Sequence, residues 1–276
     1  MWPTEENDGG EVLRRLQSYA VKATREAMIH TRWTQPNLEH EEGLAKFIAA
    51  MLDGERNSAF LEDFRRFQGE VAEGGMLNSL SQTLFKITTP GVPDFYQGSE
   101  VWDWRLVDPD NRGPVDFKKR STLLKDLSAA GKKSGREVAA ELLENWRDGR
   151  IKLFLIWKAL ATRAKYRQLF SEGEFRILKV SGQRAENIMA FLRTGKNGQA
   201  LIVAPKWTTP RGSWSDAAEN EKFWSDTMVE TAECESKRWV NVFTNEEIGS
   251  EDGQRGVKAG WALRDFPVAL LISQRR

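Results

Sequence analysis

The chain has 276 residues, enough to bury one large core or two smaller ones. Its 41 lysines and arginines against 40 acidic residues leave a net charge near zero, which excludes the basic excess of a nucleic-acid-binding protein. One cysteine, Cys234, and two histidines, His30 and His40, exclude an internal disulfide and a His- or Cys-rich metal site. The single cysteine also points to a reducing, cytoplasmic setting. No apolar run approaches the roughly 18–20 residues of a membrane helix, and the N-terminus lacks the basic-then-apolar pattern of a signal peptide.

In chain order, Val12, Leu13, Leu16, Ala20, Ala23, Ala27 and Met28 recur at helical spacing, predicting an amphipathic helix over 11–30. Thr31–Asn37, with Pro36, breaks it. Helical periodicity resumes over 39–51 and over 58–74, where Asn57 or Ser58 is a candidate cap. Gly74-Gly75 is expected to end that segment, with a separate apolar helix over 76–87. Behind a central loop, residues 118–150 read as charged helix interrupted at Gly131 and Gly135, a solvated face. Residues 150–170 predict an amphipathic helix with Leu153, Phe154, Trp157, Leu160, Ala161, Ala164 and Leu169 on its apolar side. From Glu174 the pattern turns to short β-rich runs at 175–180, 187–193, 200–205 and 268–272, with shorter candidates at 227–231 and 239–243. The Asn197-Gly198 pair between two of them is a hairpin signal. These runs read as a small antiparallel sandwich, with a boundary expected near Ser171–Gly173: residues 1–172 mostly helical, 173–276 β. Most of the eleven tryptophans are expected in the core.

The loop at 89–117, TPGVPDFYQGSEVWDWRLVDPDNRGPVDF, concentrates four of the nine prolines, two tryptophans and five aspartates. Proline and glycine fix the backbone there. Carboxylates and amides accept and donate hydroxyl hydrogen bonds, while aromatic rings cover the apolar face of a sugar. Gln97, Glu100, Asp108, Asp110 and Arg112 are the candidate substrate-binding residues, with Asp110 and Arg112 expected to pair. Turn-stabilising carboxylates and ion pairs are the competing reading of the same residues. Trp102 and Trp104, two apart in an extended segment, are expected on one face.

PGVPDFYQGSE resembles the eighth strand and following turn of the α-amylase superfamily (glycoside hydrolase family 13), and WDWRLVDPDNRGPVDF narrows the resemblance to the maltooligosyl trehalose synthases. KATREAMIHTRW, GMLNSLSQTLFKITTPG, RWVNVFTNE and FPVALL carry it along the chain. The resemblance implies the helix-rich C-terminal portion of a (β/α)8 TIM barrel around strand 8, followed by a C-terminal β-sandwich. It also implies conversion of the reducing-end α-1,4 bond of a maltooligosaccharide to an α,α-1,1 bond by a retaining mechanism, without cofactor. The family's Arg-x-Asp and His-Asp-Thr-Lys-Arg patterns and its glutamate-bearing strand are absent from this sequence, so no catalytic residue is assigned and the chain alone is expected to be inactive, with a non-catalytic glycan-binding module or an inactive truncated fragment as the alternative reading. Arg32 and Gly113 depart from the family pattern. The expected partners are a maltooligosaccharide and either the remaining barrel half or a second copy of the chain, with no nucleic acid and no membrane.

Overall fold

The computed structural model describes residues 9–130, 134–196, 198–206, 216–231, 234, 238–249 and 256–274. Gly131 and Asn197 lie outside the described residues. By contact the chain divides into two compact units, one formed by the described residues up to Ala72 with Trp104–Val115, the other by Glu73–Asp103 with the described residues from Asp116 onward.

The first unit is helical. Helix α1 (Gly9–Ala27) carries the expected apolar periodicity, yet none of its residues is fully buried. The break at 31–37 appears where Pro36 predicts it, and Asn37 caps α2 (Leu38–Met51) by accepting from the His40 N–H at 3.2 Å. A polar clamp joins the two helices: Arg25 donates twice to Glu41, at 2.7 and 2.6 Å, and the Thr31 hydroxyl donates to the same carboxylate at 2.6 Å. His30 and His40 lie ring to ring at 4.9 Å, and Arg25 covers the Trp33 ring.

Helix α3 (Ser58–Thr88) corrects an expectation: it runs through Gly74-Gly75 without interruption. Glycine in a helix interior costs only about 1 kcal/mol, and no proline or competing side-chain acceptor adds to that cost. Residues 58–72 belong to the first unit and 73–88 to the second.

In the second unit, α4 (Phe117–Ala129) is capped by Asp116 and is mostly exposed, as its charge predicts; Leu127 is its buried residue. A capping box from Ser134 and Glu137 starts α5 (Gly135–Glu144). Helix α6 (Arg150–Lys165) stops at Tyr166, and α7 (Arg167–Ser171) follows. Helix α6 is not the one-sided helix expected. Ile151, Leu155, Ile156 and Ala159 are buried together with Leu153 and Phe154, while Ala161 and Ala164 are exposed. A helix packed on several sides loses its periodic contrast.

Strands follow: β1 (Glu174–Ile177), β2 (Val180–Ser181), β3 (Ile188–Gly195), β4 (Gly198–Pro205), β5 (Met228–Glu230), β6 (Arg238–Asn241), β7 (Glu247–Gly249), β8 (Gly256–Lys258) and β9 (Ala269–Gln274). They form two antiparallel sheets, one ordered β1-β3-β4-β9-β6-β7 and one ordered β2-β5-β8. β3 and β4 pair as a hairpin with Gly195 opposite Gly198. Every residue of β4 is buried. Helix α8 (Ala217–Trp224), capped by Asp216, and α9 (Ala259–Ala262) complete the order.

The change from helix to strand falls at Gly173–Glu174, but the core continues across it. Phe191 on β3 meets Phe175 at 4.9 Å and Phe85 of α3 at 5.8 Å. Phe154 of α6 packs on Phe243 and Phe266. Trp224 and Trp239 are in this core, whereas Trp33 and Trp104 are exposed. Among the described residues, no helix is long and apolar enough to cross a membrane.

Candidate functional site

Residues 89–103 are rooted in the second unit by two arginines. Arg163 of α6 donates to the carbonyls of Ile87 (2.6 Å), Thr89 and Gly91. Arg193 of β3, 1% exposed, donates to the carbonyls of Thr88 (3.0 Å), Phe170 and Gly173 (both 2.9 Å). Carbonyls at a helix C-terminus have no intrahelical donor, so guanidinium groups satisfy them well. Beyond this root Gly91–Tyr96 is irregular and pairs with no strand among the described residues. The strand expected here is therefore absent, because a strand needs a neighbour to complete its hydrogen bonds. Val92 is 94% exposed.

Gln97 is exposed on the turn that follows. Glu100 accepts from Arg120 Nε of α4 at 2.9 Å, and the same guanidinium donates to the Gly98 carbonyl at 2.7 Å, so α4 holds the turn. Trp102 donates its indole N–H to the Trp146 carbonyl at 2.6 Å and meets that ring edge-on. Gly149, at φ +80, is fitted to this approach: a Cβ would lie 2.9 Å from the Trp102 nitrogen and from Val101 Cβ. Lys152 of α6 sits 5.8 Å from the Trp102 ring centre. Burial holds its pKa below the usual lysine value, helped by the charge of Lys86 and opposed by Asp103 and Glu100.

Asp108, Asp110 and Arg112 belong to the first unit. Asp110 opens a 3₁₀ turn, Asp110–Arg112. Arg15 of α1 grips its carboxylate, with Nη2 at 2.8 Å and Nε at 3.0 Å, and the Leu106 N–H donates to it at 2.6 Å. Arg15 also donates to the Trp104 carbonyl at 2.6 Å. The Arg15 hydrogen bonds hold the Asp110 pKa below the usual carboxylate range against partial burial, with the Leu106 N–H assisting. The expected Asp110–Arg112 pair is not made. Arg112 instead pairs with Asp108 one helical turn back, and both side chains remain open to solvent, 72% and 46% exposed. Two residues apart on a tight turn do not face one another, whereas four apart do.

The Asn111 side-chain oxygen is buried with no hydrogen-bond donor among the described residues. Arg105 donates to the Asn111 and Gly113 carbonyls. At Gly113 a Cβ would meet only the Asp110 carbonyl, at 3.5 Å, so the backbone there does not require glycine. Trp102 and Trp104 have separate surroundings: Trp102 lies against Trp146, and Trp104 lines an apolar cavity in the first unit. Sequence reasoning missed Arg15, Arg120, Arg163 and Arg193, none of which stands in a local motif.

Against this geometry the comparisons are consistent. Two curated Mycobacterium tuberculosis proteins, from strains CDC 1551 / Oshkosh and H37Rv, bear the name maltooligosyl trehalose synthase and are 30% identical over 231 residues, 79% of this chain. The maltooligosyltrehalose synthase structure from Arthrobacter ramosus aligns with 99% of the chain at a TM-score of 0.72 and 28% identity. This chain is a part-length relative of the maltooligosyl trehalose synthases. It spans 26% of the length of the curated relatives and 31% of the Arthrobacter ramosus synthase chain. A Sulfolobus tokodaii structure titled as a hypothetical maltooligosyl trehalose synthase aligns with 95% of the chain and 29% of its own length, at a TM-score of 0.66 and 28% identity. No protein-family model matches the sequence.

Proposed function

We propose that this chain provides the C-terminal part of a maltooligosyl trehalose synthase: the helices and loop around the eighth strand of a (β/α)8 barrel, and a C-terminal β-sandwich. The assembled enzyme is a cytoplasmic isomerase of glycoside hydrolase family 13. It cleaves the reducing-end α-1,4 bond of a maltooligosaccharide through a covalent glycosyl-enzyme. The released glucose stays bound, turns and attacks through its own anomeric hydroxyl to form the α,α-1,1 bond. The catalytic carboxylates come from outside this chain, whose sequence contains no His-Asp pair and no Arg-x-Asp pattern.

The observation that carries this reading is the exposed Asp108–Arg112 pair. Asp108 accepts from sugar hydroxyls and Arg112 donates to them, a set matched to a glucose held as acceptor. In the second unit, Gln97 offers an amide at the surface of its own turn. Within the second unit Glu100 holds that turn through Arg120, and within the first Asp110 holds its own loop through Arg15. The Gly91–Tyr96 segment, irregular and paired with no strand among the described residues, is the part that pairs with neighbouring barrel strands.

Maltopentaose incubated with the purified chain is expected to give no trehalose-ended product, and such product from the chain alone sinks the assignment of the acids elsewhere. Calorimetry with maltose or maltopentaose is expected to give saturable heat that Asp108→Ala and Arg112→Ala each weaken about tenfold, the loss of a charge-assisted hydrogen bond. Equal heats in wild type and both variants overturn the sugar-binding role.

A further inference from the structure

Helix α6 carries two cations that its surroundings do not neutralise. Arg150 pairs with Asp148 and Glu141, and Arg163 donates to three backbone carbonyls. Lys158 and Lys165, by contrast, form no ion pair among the described residues. Each ammonium group rests instead on an aromatic ring, Lys158 over Trp157 and Lys165 over Tyr166, both at 5.1 Å from the ring centre. An ammonium group without an acceptor keeps its three donors for another partner.

The two lysines stand at i and i+7, two turns and about 10 Å apart along one face of the helix. Ala161 and Thr162 lie between them on that face, and their short side chains leave the interval open. The face is one wall of a cavity of about 650 Å³ within the second unit. The other wall is the sheet. On β6 the exposed Arg238 and Val240 alternate with the buried Trp239 and Asn241, so the exposed pair shares a face. Glu247 of β7 pairs opposite Val240 and shares it too. Glu247 is exposed and, like the lysines, forms no ion pair among the described residues. The half-buried Tyr166 borders the same cavity.

Three cations and one carboxylate thus line a common space, and neither lysine meets the carboxylate. A simple anion satisfies the lysines but is repelled by Glu247. A neutral sugar suits Glu247 and Tyr166 but leaves the lysines uncompensated. A ligand that joins a phosphate to a hydroxylated ring answers both walls. The phosphate accepts from the ammonium groups, a hydroxyl donates to Glu247, and the tyrosine ring covers an apolar sugar face. Pockets for small ligands commonly hold about 300–1,000 Å³, so the space accommodates a monosaccharide phosphate.

We infer that the cavity between α6 and the β6–β7 pair binds a phosphorylated sugar, its phosphate held by Lys158 and Lys165 and its hydroxyls turned to Glu247. The site uses residues of the second unit alone and does not depend on the glucan-converting reading.

Calorimetry of the full chain at low salt, with glucose 6-phosphate as the probe, is expected to give saturable binding with a dissociation constant on the order of 100 µM. Inorganic phosphate is expected to bind at least about tenfold more weakly, because it cannot engage Glu247. Lys158→Ala and Lys165→Ala should each weaken glucose 6-phosphate about tenfold, the loss of a charge-assisted contact. Glu247→Ala separates the two halves of the ligand. It weakens glucose 6-phosphate about fivefold by removing a hydroxyl acceptor, and it tightens inorganic phosphate by removing a like charge. These three variants leave the heat of maltose binding unchanged, and Asp108→Ala and Arg112→Ala leave glucose 6-phosphate binding unchanged, so the failure of one site is distinguishable from the failure of the other. Circular dichroism confirms that the variants keep their fold. No saturable binding, equal affinity for inorganic phosphate, lysine variants that bind as the wild type does, or Glu247→Ala moving both probes alike overturns the inference.

Discussion

The two compact units solve the problem of excluding water differently. In the second, eight consecutive residues of β4 are buried, and aromatic side chains from α3, α6, β1 and β3 close over the sheet. In the first, a nineteen-residue helix contributes no fully buried side chain and is held by arginine–carboxylate clamps. Burial is non-directional and scales with area. A clamp contributes modestly in stability but fixes two segments in a stated geometry. The first unit is therefore specified more than it is stabilised, and its aromatic residues remain available at its surface.

That contrast is open to measurement. The largest effect is expected from Phe191→Ala, whose fully buried ring contacts Phe85 and Phe175; about 3–5 kcal/mol lost in urea unfolding follows from the cavity left behind. A loss below about 1 kcal/mol would remove the contrast altogether. Arg193→Met is expected next, at about 2–3 kcal/mol, because the Thr88, Phe170 and Gly173 carbonyls lose a charged donor in a buried site.

In the first unit the effects are smaller. Asp110→Asn is expected to cost about 1 kcal/mol, since the Arg15 pair is partly open to water; hydrogen exchange of the α1 amides reports it locally. Glu41→Gln leaves an acceptor in place and is expected to change mainly the pH response. Hydrogen bonds from Arg25, then from Thr31, lower the Glu41 pKa from 4.5 to about 2 against the cost of burial. A depressed carboxyl stabilises the fold fully above its unfolded value and ceases to do so as pH falls through the folded one. The α1–α2 amides should therefore lose protection between about pH 4.5 and 2, and less steeply in Glu41→Gln. Equal slopes in both proteins would assign the acid response to other carboxylates.

Much of the architecture was legible from sequence. The α1 periodicity, the Pro36 break, the charged face of α4 and the β3–β4 hairpin all follow from local rules. Strands β2, β7 and β8 did not, because two or three residues carry no alternation to read. Helix α6 misled because burial on several sides erases the contrast that a periodicity search measures. At the candidate site the residue types were readable and their pairings were not. Asp110 meets Arg15 across 95 residues, which no spacing announces, while Arg112 turns to Asp108 at the four-residue spacing of a helical turn rather than to the nearer Asp110.

The two guanidinium groups at the end of α3 also set an order of events in the growing chain. Thr88 leaves the ribosome 105 residues before Arg193, so the helix end is synthesised long before its last donor exists. A nascent chain halted between Arg163 and Arg193 has the first of these anchors and lacks the second. The loop that begins at Thr89 acquires its full anchorage only when β3 has been made, and until then its root remains open to proteolysis.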